Sequence, residues 1–141
     1  MPQWHLYRRL MCIPLDKARD YLEQLDLSYI ADKMCDASYP LPRWRPELIK
    51  TCEKLYKRFL WLNVKYPGRG LVPTLEIDEF WHNHILYTKA YSHDCQQLFG
   101  HYLHHQPSDS HDGEQLLASF ETTKQLYRQE FKEPLLVLRE K

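Results

Sequence analysis

Histidine, aspartate and cysteine are the side chains that most readily bind transition metals or move protons near neutral pH. Six of the eight histidines in this chain fall between Thr74 and Pro107, in the run TLEIDEFWHNHILYTKAYSHDCQQLFGHYLHHQP. The first two, His82 and His84, stand two positions apart, so on a regular helix they leave the axis about 200° apart and cannot share one ion. This is not the HExxH arrangement, whose histidines occupy one face. Following the helical angle divides the run into two groups. Ile77, Trp81, His84, Thr88, Tyr91, Cys95 and Phe99 form a mostly apolar face directed at a core, while Asp78 and His82, four apart, stand together on another.

The chemistry expected of the second group is metal binding. Asp78 and His82 meet across one helical turn, and Gly100 permits the chain to reverse so that His104 and His105 fold back towards them. A donor set of one carboxylate and several imidazoles suits zinc, iron or copper rather than calcium or magnesium. The competing expectation is a surface Asp–His pair beside a solvent-facing histidine cluster. For the first group, a hydrogen-bonded core histidine competes with a site in which His84 and Cys95 are ligands or reactive groups. Three turns of continuous helix would hold those two about 16 Å apart, too far for one ion unless the helix breaks near Thr88.

Other chemistries lack a motif. There is no P-loop, no GxGxxG, no paired-carboxylate motif and no nucleophilic triad. Nineteen basic residues balance nineteen acidic ones, which removes the electrostatic attraction behind most nucleic-acid binding. The basic run Lys50, Lys54, Lys57, Arg58, Lys65 and Arg69 reads as the solvated face of a helix. Four cysteines, Cys12, Cys35, Cys52 and Cys95, form no CxxC pair or disulfide framework and are expected as free thiols. Arginines interrupt the N-terminal MPQWHLYRRLMCIPL, so no signal peptide is expected, and no apolar run is long enough to span a membrane. The expectation is a cytoplasmic protein without a nucleic-acid or membrane partner.

The elements that must position the histidine-rich run are helices. At 141 residues the chain fits one domain, residues 1–141, able to bury its own core. The fold class expected is all-α: a single compact domain of four to five helices around a central WHxH helix. The apolar spacing predicts a first helix near 16–26 capped by Asp16, then a short one through Tyr29, Ile30 and Met34, capped by Asp26 or Ser28 and either separate from the first or continuous with it. Three prolines make 38–46 a loop. Pro46 opens a helix over 46–65 whose stripe includes Cys52, read as a buried small hydrophobe. The central helix starts at Thr74 as N-cap and runs towards Phe99, stopping at Gly100, with Thr88 able to cap a second helix. A last helix over 112–131 ends at Pro134. The central helix is expected between those at 46–65 and 112–131. The apolar tail LLVLREK is expected either to dock as an extended segment or to contact another chain.

Asp78 through Gly100, read as DxxWHxHxLxTxxYxxDCxxLFG and followed by the HHxP of His104, His105 and Pro107, resembles the glycine-rich domain-containing protein-like family of plants and small bacterial proteins. RFLWL at 58–62 and TKQLYRQEF at 123–131 also resemble bacterial members. The resemblance implies a helical module. It singles out Asp78, Trp81, His82, His84, Tyr91, Cys95, His104 and His105, and some plant relatives carry proline where this chain has Thr88, which agrees with a break there. The glycine-rich region that names the family is absent, with only four glycines. Two functions follow as expectations. One is a metal-binding protein with Asp78, His82, His104 and His105 at the site, extending to a small oxidoreductase or hydrolase. The other is a non-enzymatic protein-interaction module in which the motif is a packing signature.

Overall fold

The computed structural model describes residues 13–105 and 113–138; Cys12 and most of the expected loop at 107–113 lie outside them. Six helices and no strand occur among the described residues: α1 (Leu15–Gln24), α2 (Ser28–Cys35), α3 (Pro46–Lys65), α4 (Leu75–Leu86), α5 (Thr88–Phe99) and α6 (Gly113–Phe131). The all-α class holds, and the expected four to five helices become six. α1 and α2 are separate elements, because Leu25 turns extended and Asp26 accepts the Ser28 amide at 2.9 Å, satisfying a donor at the start of α2. Asp16 does not cap α1; Pro14 occupies the N-cap, without a side-chain bond, and Asp16 sits in the first turn.

The expected central helix is two helices. Thr74 caps α4 as predicted, its hydroxyl accepting from the Ile77 amide at 3.2 Å. Tyr87 then leaves helical geometry at φ −85°, ψ 71°, with its amide bonded back to the His84 carbonyl in a tightened last turn. α5 starts at once with Thr88 and ends at Gly100, whose φ of 74° is the left-handed conformation glycine adopts without strain.

α3 is the hub, touching α1, α2, α4 and α6. The expectation that the central helix lies between α3 and the last helix is corrected: α4 packs on α3, α5 and α2, whereas α6 docks on α3. A carboxylate makes that second interface. Glu130 of α6 accepts from the Trp61 indole at 3.1 Å, the Lys65 ammonium at 2.7 Å and the Tyr66 hydroxyl at 3.2 Å. The basic run of α3 is thus only partly solvated, since Arg58 also bonds the Tyr127 hydroxyl and Glu133.

Large side chains fill the interior: Tyr56, Phe59, Leu60 and Leu62 of α3, Ile77 and Phe80 of α4, Tyr91 and Leu98 of α5. Phe59 meets Trp81 with ring centroids 5.3 Å apart and Tyr56 meets Phe80 at 5.0 Å; each such burial is worth roughly 1.5–3 kcal/mol. The proline-rich loop is pinned to α4, with the Trp44 indole donating to Glu79 and the Asn83 amide donating to the Tyr39 hydroxyl at 2.9 Å. Past α6 the tail is irregular, and its Leu138 amide reaches the Glu76 carboxylate at 3.1 Å. No described helix is long and apolar enough to cross a membrane.

Candidate functional site

The break at Tyr87 decides what the motif can do, because it folds α5 back against α4. Trp81 and His84 on the inner face of α4 then meet Tyr91, Asp94 and Cys95 on the inner face of α5, all five buried. His84, 1% exposed, is held at both ring nitrogens: Nδ1 lies 2.6 Å from the Tyr56 hydroxyl and Nε2 lies 2.8 Å from Asp94 Oδ2. Asp94 Oδ1 accepts from the Tyr21 hydroxyl of α1 at 2.6 Å. A carboxylate on one nitrogen and a hydroxyl on the other are jointly satisfied by the Nε2–H tautomer, with Tyr56 donating to Nδ1. Four side chains from α1, α3, α4 and α5 therefore form one continuous chain, Tyr21–Asp94–His84–Tyr56.

Burial holds the phenols of this chain in their protonated form. It pushes the Tyr56 hydroxyl well above its ordinary pKa, with nearby Tyr91, Cys95 and Asp94 adding to the effect. Tyr21 is raised by burial and by its bond to Asp94. Beside the chain, the Trp81 indole donates to Tyr91 Oη at 2.9 Å, and Tyr91 donates onward to the Leu103 carbonyl. Burial raises the Tyr91 phenol as well. It also raises the Cys95 thiol, which opposes the thiolate a reactive cysteine needs.

The fold-back after Gly100 occurs. His105 returns to α4, where its ring lies tilted against Trp81 with centroids 4.3 Å apart and its Nε2 contacts Asp78 Oδ1. Of the expected ligand set, Asp78 and His105 are thus brought together. His82 and His104 are exposed, His104 lying against the Tyr102 ring at 4.8 Å. Among the described residues no three His, Cys, Asp or Glu side chains form a group that could hold a metal ion. The expected core face is otherwise observed, with one correction: Thr88, placed on it by the continuous-helix angle, is exposed, because it stands at the corner as the first residue of α5.

Sequence reasoning missed Asp94, Tyr56 and Tyr21. Asp94 stood inside the motif, three residues after Tyr91 on the same face of α5, and that spacing was the available signal. Tyr56 and Tyr21 arrive from helices 28 and 63 residues earlier than His84, so only the fold reveals them.

A sequence profile of the UCP032817-like family matches residues 17–132. The chain belongs to that family. Every residue of the buried chain lies inside the matched span, as do Asp78 and His105. Within the curated proteins, the chain is similar to Glycine-rich domain-containing protein 1 of Arabidopsis thaliana, 39% identical over 62 residues. The match covers 41% of this chain and 8% of that longer protein. Together these findings support the resemblance to the glycine-rich domain-containing protein-like family carried by the W-H-x-H motif. No solved structure matches the chain.

Proposed function

We propose that this member of the UCP032817-like family is a non-catalytic helical interaction module, in which the W-H-x-H motif locks four helices together. The observation that carries this reading is the saturation of the motif's polar groups. His84 uses both ring nitrogens, Trp81 its indole N–H and Tyr91 its hydroxyl on other parts of the protein. No buried side-chain nitrogen or oxygen among the described residues lacks a partner. Apolar side chains on α6 and, separately, on the tail are open to a partner protein: Leu117 is 67% exposed and Val137 65%, with Leu116 and Leu136 also accessible.

A second reading, a metal-binding protein taking zinc, iron or copper, is favoured by the Asp78–His105 contact. It puts a carboxylate and an imidazole together at a partly exposed position, to which His82 or His104 would add a ligand on rearrangement. One experiment separates the two. Protein purified without a histidine tag and treated with chelator is unfolded in urea with and without stoichiometric zinc. The interaction-module reading expects the same midpoint in both. A higher midpoint with zinc, lost in His105→Ala, overturns it in favour of the metal site.

A further inference from the structure

The Tyr56 hydroxyl meets a different kind of acceptor from those of Tyr91, Tyr21 and Tyr66. Tyr91 donates to the Leu103 carbonyl, and Tyr21 and Tyr66 donate to the Asp94 and Glu130 carboxylates. Tyr56 lies 2.6 Å from an imidazole nitrogen, His84 Nδ1, the strongest base of these acceptors. A phenol that loses an electron becomes a strong acid, so its oxidation is favoured where a base already stands within hydrogen-bond reach of its proton. The imidazolium formed at His84 is stabilised by Asp94, whose carboxylate is 2.8 Å from Nε2.

Burial adds two further properties. It holds the Tyr56 phenol well above its ordinary pKa, so the proton does not leave ahead of the electron. It also isolates the ring, which is 0% exposed and covered by Phe80 at 5.0 Å between centroids; a phenoxyl radical there is out of reach of the second phenol with which it would couple in solution. Outward from Tyr56 runs a ladder of rings. His84 stands edge-on to Tyr56 and to Tyr91, at 5.7 and 4.9 Å between centroids, and Tyr91 stands edge-on to Tyr102 at 5.2 Å. Tyr102 is 37% exposed, so the ladder joins the buried phenol to solvent.

We propose that Tyr56 is a redox-active tyrosine that yields one electron, through Tyr91 and Tyr102, to a high-potential metal-complex oxidant at the surface, while His84 Nδ1 takes its proton. The step balances. One electron leaves the Tyr56 ring and lowers the oxidant's metal by one oxidation state; the Tyr56 O–H bond breaks and an N–H bond forms at His84. The products are a neutral Tyr56 phenoxyl radical and a His84 imidazolium paired with Asp94. This activity goes beyond the interaction module and does not depend on what its surface binds.

The test is flash oxidation of the full chain by photogenerated tris(bipyridine)ruthenium(III), followed by freeze-quenching and pulsed electron paramagnetic resonance. The wild type is expected to give a neutral tyrosyl signal that long outlasts the radical of free tyrosine and is coupled to one imidazole nitrogen, seen as a change in splitting when histidine is isotope-labelled. Tyr56→Phe, which keeps the ring, should lose the long-lived signal, and Asp94→Asn should shorten its life severalfold by removing the charge that stabilises the imidazolium. The labelling is read on the wild-type chain, so it decides the matter whether or not the variants fold. A signal that decays as fast as that of free tyrosine, that ignores the histidine label, or that survives in Tyr56→Phe overturns the proposal. Tyr102→Phe should slow formation of the long-lived signal severalfold; an unchanged rate overturns Tyr102 as the point of electron exit.

Discussion

His84 shows how one side chain serves a fold when its two nitrogens face opposite ways into the interior. Tyr56 holds one and Asp94 the other, so truncation leaves the buried Tyr56 hydroxyl without its acceptor and Asp94 Oδ2 without its donor. Leaving a buried polar group without its partner costs about 1–3 kcal/mol, more where it is charged, and the lost ring leaves a cavity besides, so His84→Ala is expected to lose at least about 3 kcal/mol in urea denaturation. A loss below 1 kcal/mol would contradict the part given to His84 in joining α3, α4 and α5. His82, two residues away and exposed, provides the internal control: His82→Ala should change stability by less than about 0.5 kcal/mol. This difference was legible in the sequence, because a 200° separation on a helix with one apolar face sends only one of the two histidines inward. The identity of the inward partners was not legible, since Tyr56 and Tyr21 are remote in sequence and tyrosine has no spacing signature that marks a hydrogen-bond donor to a core histidine.

Among the elements, the α4–α5 corner and the α3–α6 clamp make separate predictions. Thr88 is the first residue of α5 and exposed, and the first helical position is where proline is tolerated, since its missing N–H has no helical partner. Thr88→Pro should therefore shift stability by no more than about 1 kcal/mol, whereas Tyr91→Pro, inside α5 and bonded by its amide to the Tyr87 carbonyl, should abolish folding. Thermal unfolding of the two variants checks this, and a collapse of Thr88→Pro comparable to Tyr91→Pro would argue for a continuous helix. The corner was half legible: a second helix starting near Thr88 was open, but Tyr87 rather than Thr88 takes the N-cap position, and the apolar stripe runs through both helices and conceals the break. The clamp is sensitive to acid. Burial raises the Glu130 carboxyl, but the bonds from Lys65 and Trp61, with Tyr66, outweigh it and leave its pKa lowered. A lowered folded-state value means that the stabilisation is present above the unfolded value of about 4.3 and disappears as pH falls through the folded one. Stability measured from pH 6 down to 2.5 should fall less steeply below pH 4 in Glu130→Gln than in the wild type; parallel profiles would remove Glu130 from the acid response.

Across the whole molecule, composition and periodicity anticipated a helical aromatic core, because burial of one face dictates where apolar residues recur. They did not anticipate that α3 rather than the histidine-rich run is the hub. A stripe on a helix states that a face is buried without stating against what, and α3 carries enough apolar surface to receive α1, α2, α4 and α6. The same packing sets the reactivity of the thiols. Cys52 is fully buried, its Sγ–H directed at the Glu76 carbonyl at 3.3 Å, and Cys95 is 2% exposed, while Cys35 is only half-buried. Burial raises the Cys95 and Cys35 thiols above their ordinary value, so access and thiolate content both act against Cys95. With four cysteines in the chain, a disulfide-exchange reagent should titrate four thiols after denaturation without reductant. In the native protein Cys52 and Cys95 should react at least about a hundredfold more slowly than after denaturation, because each waits for an opening that exposes α3 or α5. Mapping the modified positions by mass spectrometry gives the order. Cys95 reacting ahead of Cys35 would mean that α5 opens towards solvent more readily than its packing against α1 and α4 allows.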